Sequence, residues 1–487
     1  MHELIQYRNN ALQSIAYEEH VSCRSKRRAG KKRRYSTIWN EKLCRDLRPR
    51  LTGCISQSIQ ILCITILRKD TPLSHRLIGT LITSALFVLT FTSFSQTPNV
   101  KLGIDVLRDR GFDVLKGKRI GLITNPTGVD SRVQSTIDIL SQAPDVKLVA
   151  LYGPEHGVRG NFAAGDKIET IIDSATNVPM YSLYGKTRKP TAEMLRGIDA
   201  LVYDIQDIGC RSYTYISTMG LAMEAAAENN IECIVLDRPN PLGGIKIEGN
   251  IVEAGYESFV SPYPIPYVYG LTCGELAKLL NEEGMLKNKA RCKLIVVPMQ
   301  GWKRSMTFAQ TGLQWVPTSP HVPEAASPAY YVSTGILGEL GVLSEGVGYT
   351  IPFHTCAAEW INGKRFAEKL NALNVDGVLF RPLTIKPFYG KHKDKNLNGV
   401  QIHLTDESKV NLMSIQFLCM QVHHELYPDK NPFELADGGR LKTFDRIVGS
   451  DRVRKLFTQR MSYADVKSYL EKDVQTFSAK AKRYYLY

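Results

Sequence analysis

Five short polar strings carry the residue types that acid–base chemistry requires. Glu155 and His156 stand together in Gly153-Pro154-Glu155-His156-Gly157. A carboxylic acid beside an imidazole, on a turn that glycines allow to bend sharply, is equipped for general acid or base work. The bland alternative is a turn in which Glu155 only hydrogen-bonds backbone amides. Asp204, Gln206 and Asp207 form a second cluster, followed by Arg211, Tyr213 and Tyr215. Carboxylates, a guanidinium and phenols in that order suit a sugar with an anionic substituent, although an Asp207–Arg211 bridge would equally serve to fix the loop. Asp237, Arg238 and Asn240 make a third cluster, stiffened by Pro239 and Pro241, and proline also simply ends strands. Asn125 opens Asn125-Pro126-Thr127-Gly128. Glu345 lies in Leu343-Ser344-Glu345-Gly346-Val347-Gly348 with Glu339 close by, and either supplies a second carboxylate of the kind glycosidases use in pairs.

These strings are held by a regular framework. Arg119–Thr124, Val146–Tyr152, Ala200–Asp204, Cys233–Leu236 and Leu294–Pro298 are short apolar runs of strand character, and four of them end directly on a polar string. Helical patterns lie between them, at Val133–Leu140, Ser217–Asn229 and Leu271–Glu283, the last opening on Thr272 with Glu275 three residues later as a capping box. Strands alternating with helices predict an α/β fold with a doubly wound, mostly parallel sheet. Ligands of such sheets bind outside the carboxyl ends of the strands, where the polar strings fall. The framework therefore points to an enzyme with its site at that edge, spanning about residues 100–300. Residues 301–360, with Pro317, Pro320, Pro323 and Pro328, read as a linker with active-site loops and little regular structure up to Glu345. Residues 361–487 read as a smaller α+β domain with helices at Gly363–Leu373, Val410–Tyr427 and Tyr463–Tyr469.

Composition excludes several function classes. Of 487 residues, 43% are hydrophobic and 23% charged, values ordinary for a globular chain. The net charge of +14 is not spread evenly: residues 1–76 hold 16 Lys and Arg against 6 Asp and Glu, and the remaining 411 hold 46 against 42. A nearly balanced body lacks the clustered basic face that nucleic acid requires. The basic leader, with Arg24-Ser25-Lys26-Arg27-Arg28 and Lys31-Lys32-Arg33-Arg34, reads either as a surface arm or as residues upstream of the true start, and the second is the expectation. Leu77–Phe94 is an uncharged apolar run of 18 residues preceded by His75-Arg76 and followed by Ser95. That layout predicts a signal peptide over 77–95 and export to the periplasm or beyond, with an uncleaved membrane anchor as the alternative. Six scattered body cysteines without a CxxC pair predict buried free thiols rather than a zinc site or a disulfide scaffold. No GxGxxG, GxxxxGK[ST], GxSxG or HExxH string occurs at a strand end, so no nucleotide or redox cofactor and no metal are expected.

Taken together, Asn125-Pro126-Thr127-Gly128, Gly153-Pro154-Glu155-His156-Gly157, Asp204 to Gly209, Arg211 with Tyr213-Thr214-Tyr215, and Asp237-Arg238-Pro239-Asn240-Pro241 resemble the exo-β-N-acetylmuramidase (NamZ-type) family, formerly a bacterial domain of unknown function. The resemblance runs from about Gly103 to Tyr487. It implies a Rossmann-like catalytic domain, a smaller C-terminal domain, and release of terminal N-acetylmuramic acid from peptidoglycan-derived muramyl saccharides without a redox cofactor. It implies catalysis by Glu155 supported by His156, with Arg211 or Arg238 gripping the carboxylate of the sugar's lactyl group. The chain departs from the family at Val342 and Val347, where an Asn and an Arg are usual. A related hydrolase acting on another amino sugar and a non-catalytic cell-wall glycan-binding protein of the envelope are the alternatives.

Overall fold

The computed structural model describes residues 100–160 and 171–487. The leader and the apolar segment 77–95 lie outside the described residues. In chain order the first lobe comprises α1 (Gly103–Asp109), β1 (Arg119–Thr124), α2 (Thr136–Ser141), β2 (Lys147–Gly153), β3 (Ile171–Ile172), β4 (Pro179–Ser182), β5 (Ala200–Asp204), α3 (Tyr215–Glu228), β6 (Glu232–Leu236), α4 (Cys273–Glu282) and β7 (Lys293–Val297). The strands form one sheet in the order β3-β4-β2-β1-β5-β6-β7. All neighbouring pairs are parallel except β3 with β4.

The apolar runs form strands because both faces of the sheet are covered. Along β5, Ala200 and Val202 join a core with α1 and α2, while Leu201 and Tyr203 join another with α3 and α4. Residues of alternating direction thus meet helices on either side, as a doubly wound sheet requires. Helix α4 begins as its sequence dictates: the Thr272 hydroxyl accepts from the Glu275 amide, and the Glu275 carboxylate accepts from the Thr272 amide. Such a cap is worth about 1 kcal/mol.

Three expectations are corrected. The helix expected from Val133 starts only at Thr136, because Val133 adopts φ 66° and Ser135 caps the helix by accepting from the Ile137 amide. Strand β4 has no counterpart in the sequence reading, being four residues long with a proline at its start. The segment expected to be irregular up to Glu345 contains a 13-residue helix, α5 (Ser327–Glu339), with Pro328 in its first turn. Proline is tolerated there because the first helical N–H groups have no intrahelical acceptor.

The second lobe continues with β8 (Thr355–Ala358), α6 (Gly363–Asn371), β9 (Val378–Ile385), β10 (Leu397–Leu404), α7 (Leu412–Leu426), α8 (Pro432–Leu435), α9 (Arg440–Val448), α10 (Asp451–Phe457), α11 (Tyr463–Glu471) and α12 (Val474–Ala481). Its three-stranded antiparallel sheet, in the order β8-β10-β9, packs with α5, α6 and α7 around a core that also takes in Ile208, Cys210, Tyr267 and Val268 of the first lobe. The chain then returns to the first lobe. Phe477, Ala481 and Tyr484 are buried in the core shared with α3 and α4, and the Tyr487 hydroxyl donates to Asp237 at 2.6 Å. Truncating Phe477 to alanine would cost about 3–5 kcal/mol through the cavity it leaves. The six cysteines among the described residues are buried and free, as the sequence reading expects.

Candidate active site

A cavity of about 540 Å³ lies at the carboxyl ends of the parallel strands, between the first lobe and helices α5 and α9 of the second. Its floor carries Glu155 and His156, from the turn after β2. That turn is shaped by two positions: Gly157 adopts φ 75°, and a Cβ on Gly153 would come within 2.7 Å of the Val158 amide nitrogen. His156 itself sits at φ 71°, a left-handed conformation that costs a non-glycine residue on the order of 1 kcal/mol and turns the Glu155-His156 pair outward. The Tyr184 hydroxyl hydrogen-bonds Glu155, and burial together with that bond pushes the phenol up to about 12.

The wall opposite belongs to tyrosines. Tyr213 donates to the Thr318 hydroxyl at 2.8 Å and Tyr215 to the Thr318 carbonyl at 2.5 Å. Their rings meet edge to face at 4.9 Å, and Tyr331 of α5 packs on Tyr213 at 5.7 Å. This aromatic corner is fixed from both lobes. His321 also lines the cavity and shares a 2.9 Å hydrogen bond with Tyr389. Burial, and then the charge of nearby His156, holds its imidazole below the usual range.

A second carboxylate faces the same space, and it is Glu339, not Glu345. Glu339 ends α5 and lines the cavity, its pKa raised by burial against the opposing pull of Arg440. Glu345 packs behind it, so close to α5 that a Cβ on Gly338 would meet its carboxyl carbon at 2.7 Å. Burial first, then repulsion from Glu339, pushes Glu345 up to about 7. Val347 packs against the second lobe's core and Val342 is buried; neither lines the large cavity.

The remaining expected binding residues form a buried polar layer beneath the site. Asp204 accepts from Arg238 at 2.6 and 2.9 Å and from Thr136 at 2.5 Å. Gln206 donates to the carbonyls of Asp207 and Pro239, and Asn240 donates to the Leu271 carbonyl. Asn125 accepts from both the amide and the hydroxyl of Thr127. Asp207 takes bonds from Tyr269 and the Gly209 amide, yet burial raises it to about 6. Asp237, bonded by Thr272, Gly274 and Tyr487, is likewise raised by burial to about 6. Arg211 is 0% exposed and does not line the cavity. Its donors are spent on the carbonyls of Asn250, Ile265, Ile447 and Val448 and on the Ser261 hydroxyl. Thus Glu155, His156, Tyr213 and Tyr215 come together at the cavity, while Asn125, Asp204, Gln206, Asp207, Arg211, Asp237, Arg238, Asn240 and Glu345 do not line it.

Among the cavity residues that the sequence reading does not single out are Tyr184, Arg188, His321, Tyr331 and Arg446. Tyr184 and Arg188 follow β4, and the rule that polar residues after strands line the site finds them once that strand is recognised. Arg446 has no local signal, because it reaches the cavity only through packing of α9. Among the described residues no group of three or more His, Cys, Asp or Glu is placed to hold a metal ion.

A Rossmann-like lobe with a glutamate–histidine turn and a tyrosine corner at the carboxyl edge of its sheet, closed by a second α+β lobe, defines an α/β protein with an enzyme-like cavity. The chain belongs to the exo-β-N-acetylmuramidase NamZ family, whose N-terminal model matches residues 120–326 and whose C-terminal model matches residues 329–487. It is 45% identical over 393 residues to the peptidoglycan β-N-acetylmuramidase NamZ of Bacillus subtilis (strain 168), covering 81% of this chain and 92% of that protein. Two crystal structures of DUF1343 family proteins from Bacteroides fragilis NCTC 9343 share the fold. One is 59% identical with a TM-score of 0.77, the other 29% identical with a TM-score of 0.65, and each match covers 80% of this chain and 99% of that one.

Proposed function

We propose that this protein is an exo-acting glycosidase that releases terminal N-acetylmuramic acid from peptidoglycan fragments. The observation that carries the reading is the position of Glu155: in a chain matched by the muramidase family over both lobes, it stands in the large cavity at the sheet's carboxyl edge. Hydrolysis of a glycoside needs a proton delivered to the leaving oxygen and a carboxylate that manages the attacking water or the anomeric carbon. Glu155 acts at the scissile bond, held by the Tyr184 hydroxyl, with His156 beside it. Glu339 is the second carboxyl of the cavity, and its raised pKa favours the protonated form that a proton donor requires. Tyr213, Tyr215 and Tyr331 give a rigid apolar wall for a pyranose ring, with the fixed hydroxyls around it.

The test is incubation of the purified protein with the para-nitrophenyl glycosides of N-acetylmuramic acid and of N-acetylglucosamine. Release from the muramic compound, lowered about 10²–10⁴-fold in Glu155→Gln at unchanged thermal stability, is the expected result. Binding of muramyl saccharides with no release by the unmodified protein would replace the enzyme with a glycan-binding envelope protein. We also propose export to the periplasm or the medium. The apolar run Leu77–Phe94 with Ser95 at its end supports cleavage before Gln96, and N-terminal sequencing of the mature protein tests it. A mature chain that retains residues 77–94 would make that run an anchor instead.

A further inference from the structure

The two arginines expected to read a substrate carboxylate are occupied elsewhere, and two others stand where that task falls. Arg188, after β4, and Arg446, on α9, both line the cavity that holds Glu155, and both are exposed. They come from opposite lobes. The Arg188 guanidinium lies 4.2 Å from the centroid of the Phe259 ring, itself a cavity residue, which stiffens the side chain and leaves its edge free to donate. Arg446 projects from the turn of α9 whose next two carbonyls, Ile447 and Val448, are tied to Arg211, so its backbone is anchored. Among the described residues neither guanidinium lies within 4.0 Å of a carboxylate oxygen. Two guanidinium groups in one cavity, without an ion-pair partner among the described residues, are a prepared seat for an anion, since each offers a planar fork that matches a carboxylate.

We infer that Arg188 and Arg446 are the specificity residues of this site, and that they grip the carboxylate of the lactyl ether that distinguishes N-acetylmuramic acid from N-acetylglucosamine. This rests on the muramidase reading given above. The two guanidinium groups address the substituent and leave the glycosidic bond to Glu155. A substrate whose lactyl carboxylate is esterified keeps its size and loses its charge, and it then has little to gain from either arginine.

The experiment compares kcat/KM for the para-nitrophenyl glycoside of N-acetylmuramic acid with that for its lactyl methyl ester, in the unmodified protein, Arg188→Gln, Arg446→Gln, the double variant and Arg446→Lys. The unmodified protein is expected to prefer the acid. Each single variant should lose about 10- to 100-fold on the acid, mostly through KM. The acid-to-ester ratio of the double variant should fall close to one, and Arg446→Lys should recover part of the preference. An unchanged acid-to-ester ratio in the double variant overturns the assignment while leaving the glycosidase reading intact. Equal losses on acid and ester overturn it too, because they mark a structural role. No turnover of either compound by the unmodified protein removes the glycosidase reading and the assignment with it.

Discussion

Arg211→Met separates a structural arginine from a recognition arginine. The guanidinium is fully buried and makes five hydrogen bonds, four of them to backbone carbonyls. Asn250 and Ile265 belong to the first lobe and Ile447 and Val448 to the second, so one side chain ties the lobes together beneath the cavity. No carboxylate is among its partners, and burial pulls it down to about 10, still charged at neutral pH. Methionine fills much of the volume but donates nothing. Each carbonyl left buried without a donor costs about 1–3 kcal/mol, and relief of the buried charge offsets part of that. A net loss of roughly 3–5 kcal/mol follows, the size seen when one partner of a buried charged group is removed. At roughly 1 °C per kcal/mol for a chain of this size, the melting temperature should fall by about 4–6 °C. The assay is thermal unfolding followed by circular dichroism, with kcat/KM on the muramic acid and methyl ester glycosides measured well below the transition. The folded fraction should keep its acid-to-ester preference. A variant as stable as the parent that has lost this preference would refute the reasoning and return Arg211 to the binding site.

Other consequences concern protons. His423 is buried and neutral, accepting from the Trp360 indole at 3.0 Å, and burial lowers it to about 4. Its folded pKa lies below the unfolded value of about 6.5, so the stability it contributes is present above pH 6.5 and lost as pH falls towards 4. His423→Gln, which keeps an acceptor, should flatten urea-derived stability in that window by up to about 1.4 kcal/mol per pH unit, one proton's worth; an unchanged slope would exclude His423. Asp237 has the opposite sign. Its folded pKa of about 6 is raised above the usual carboxylate value by burial, so its contribution is greatest below pH 4 and declines as pH rises through 6. Asp237→Asn should therefore gain on the parent as pH goes from 4 to 8, and a constant difference would contradict this. Glu339→Gln should remove the alkaline limb of the kcat/KM profile along with most of the activity, since a proton donor fails as pH rises through its pKa; retention of that limb would point to another group.

The sheet was readable because β1, β2, β5 and β6 are largely buried on both faces and the half-buried edge strand β7 is still apolar from Leu294 on, which leaves uninterrupted apolar runs bounded by turn residues. Strand β4 was not, because it is short and only one of its four residues is fully buried. The polar strings show a different limit. Asp204 ends β5 and Glu155 follows the end of β2 in the same sheet, and nothing local distinguishes a carboxylate that seals a buried layer from one that faces a cavity. The distinction is made by the second lobe and by Arg238, which reaches Asp204 from the end of β6, while the turn after β2 stays open beneath α5 and α9. Arginine shows the same division most sharply. Arg211 and Arg238 were conspicuous in sequence because they sit in polar strings, and those strings turn out to be the cement of the strand ends. Arg188 and Arg446 stand apart from those strings and were invisible until β4 and α9 were placed. An anion-binding group in a cavity between lobes must keep its donors free, so it is not expected inside the densest cluster of acids, amides and prolines, where donors such as those of Arg211, Arg238, Gln206 and Asn240 are already spent on acceptors of the protein itself. The dense strings buy rigidity for the floor, and the isolated arginines above it remain available to the substrate.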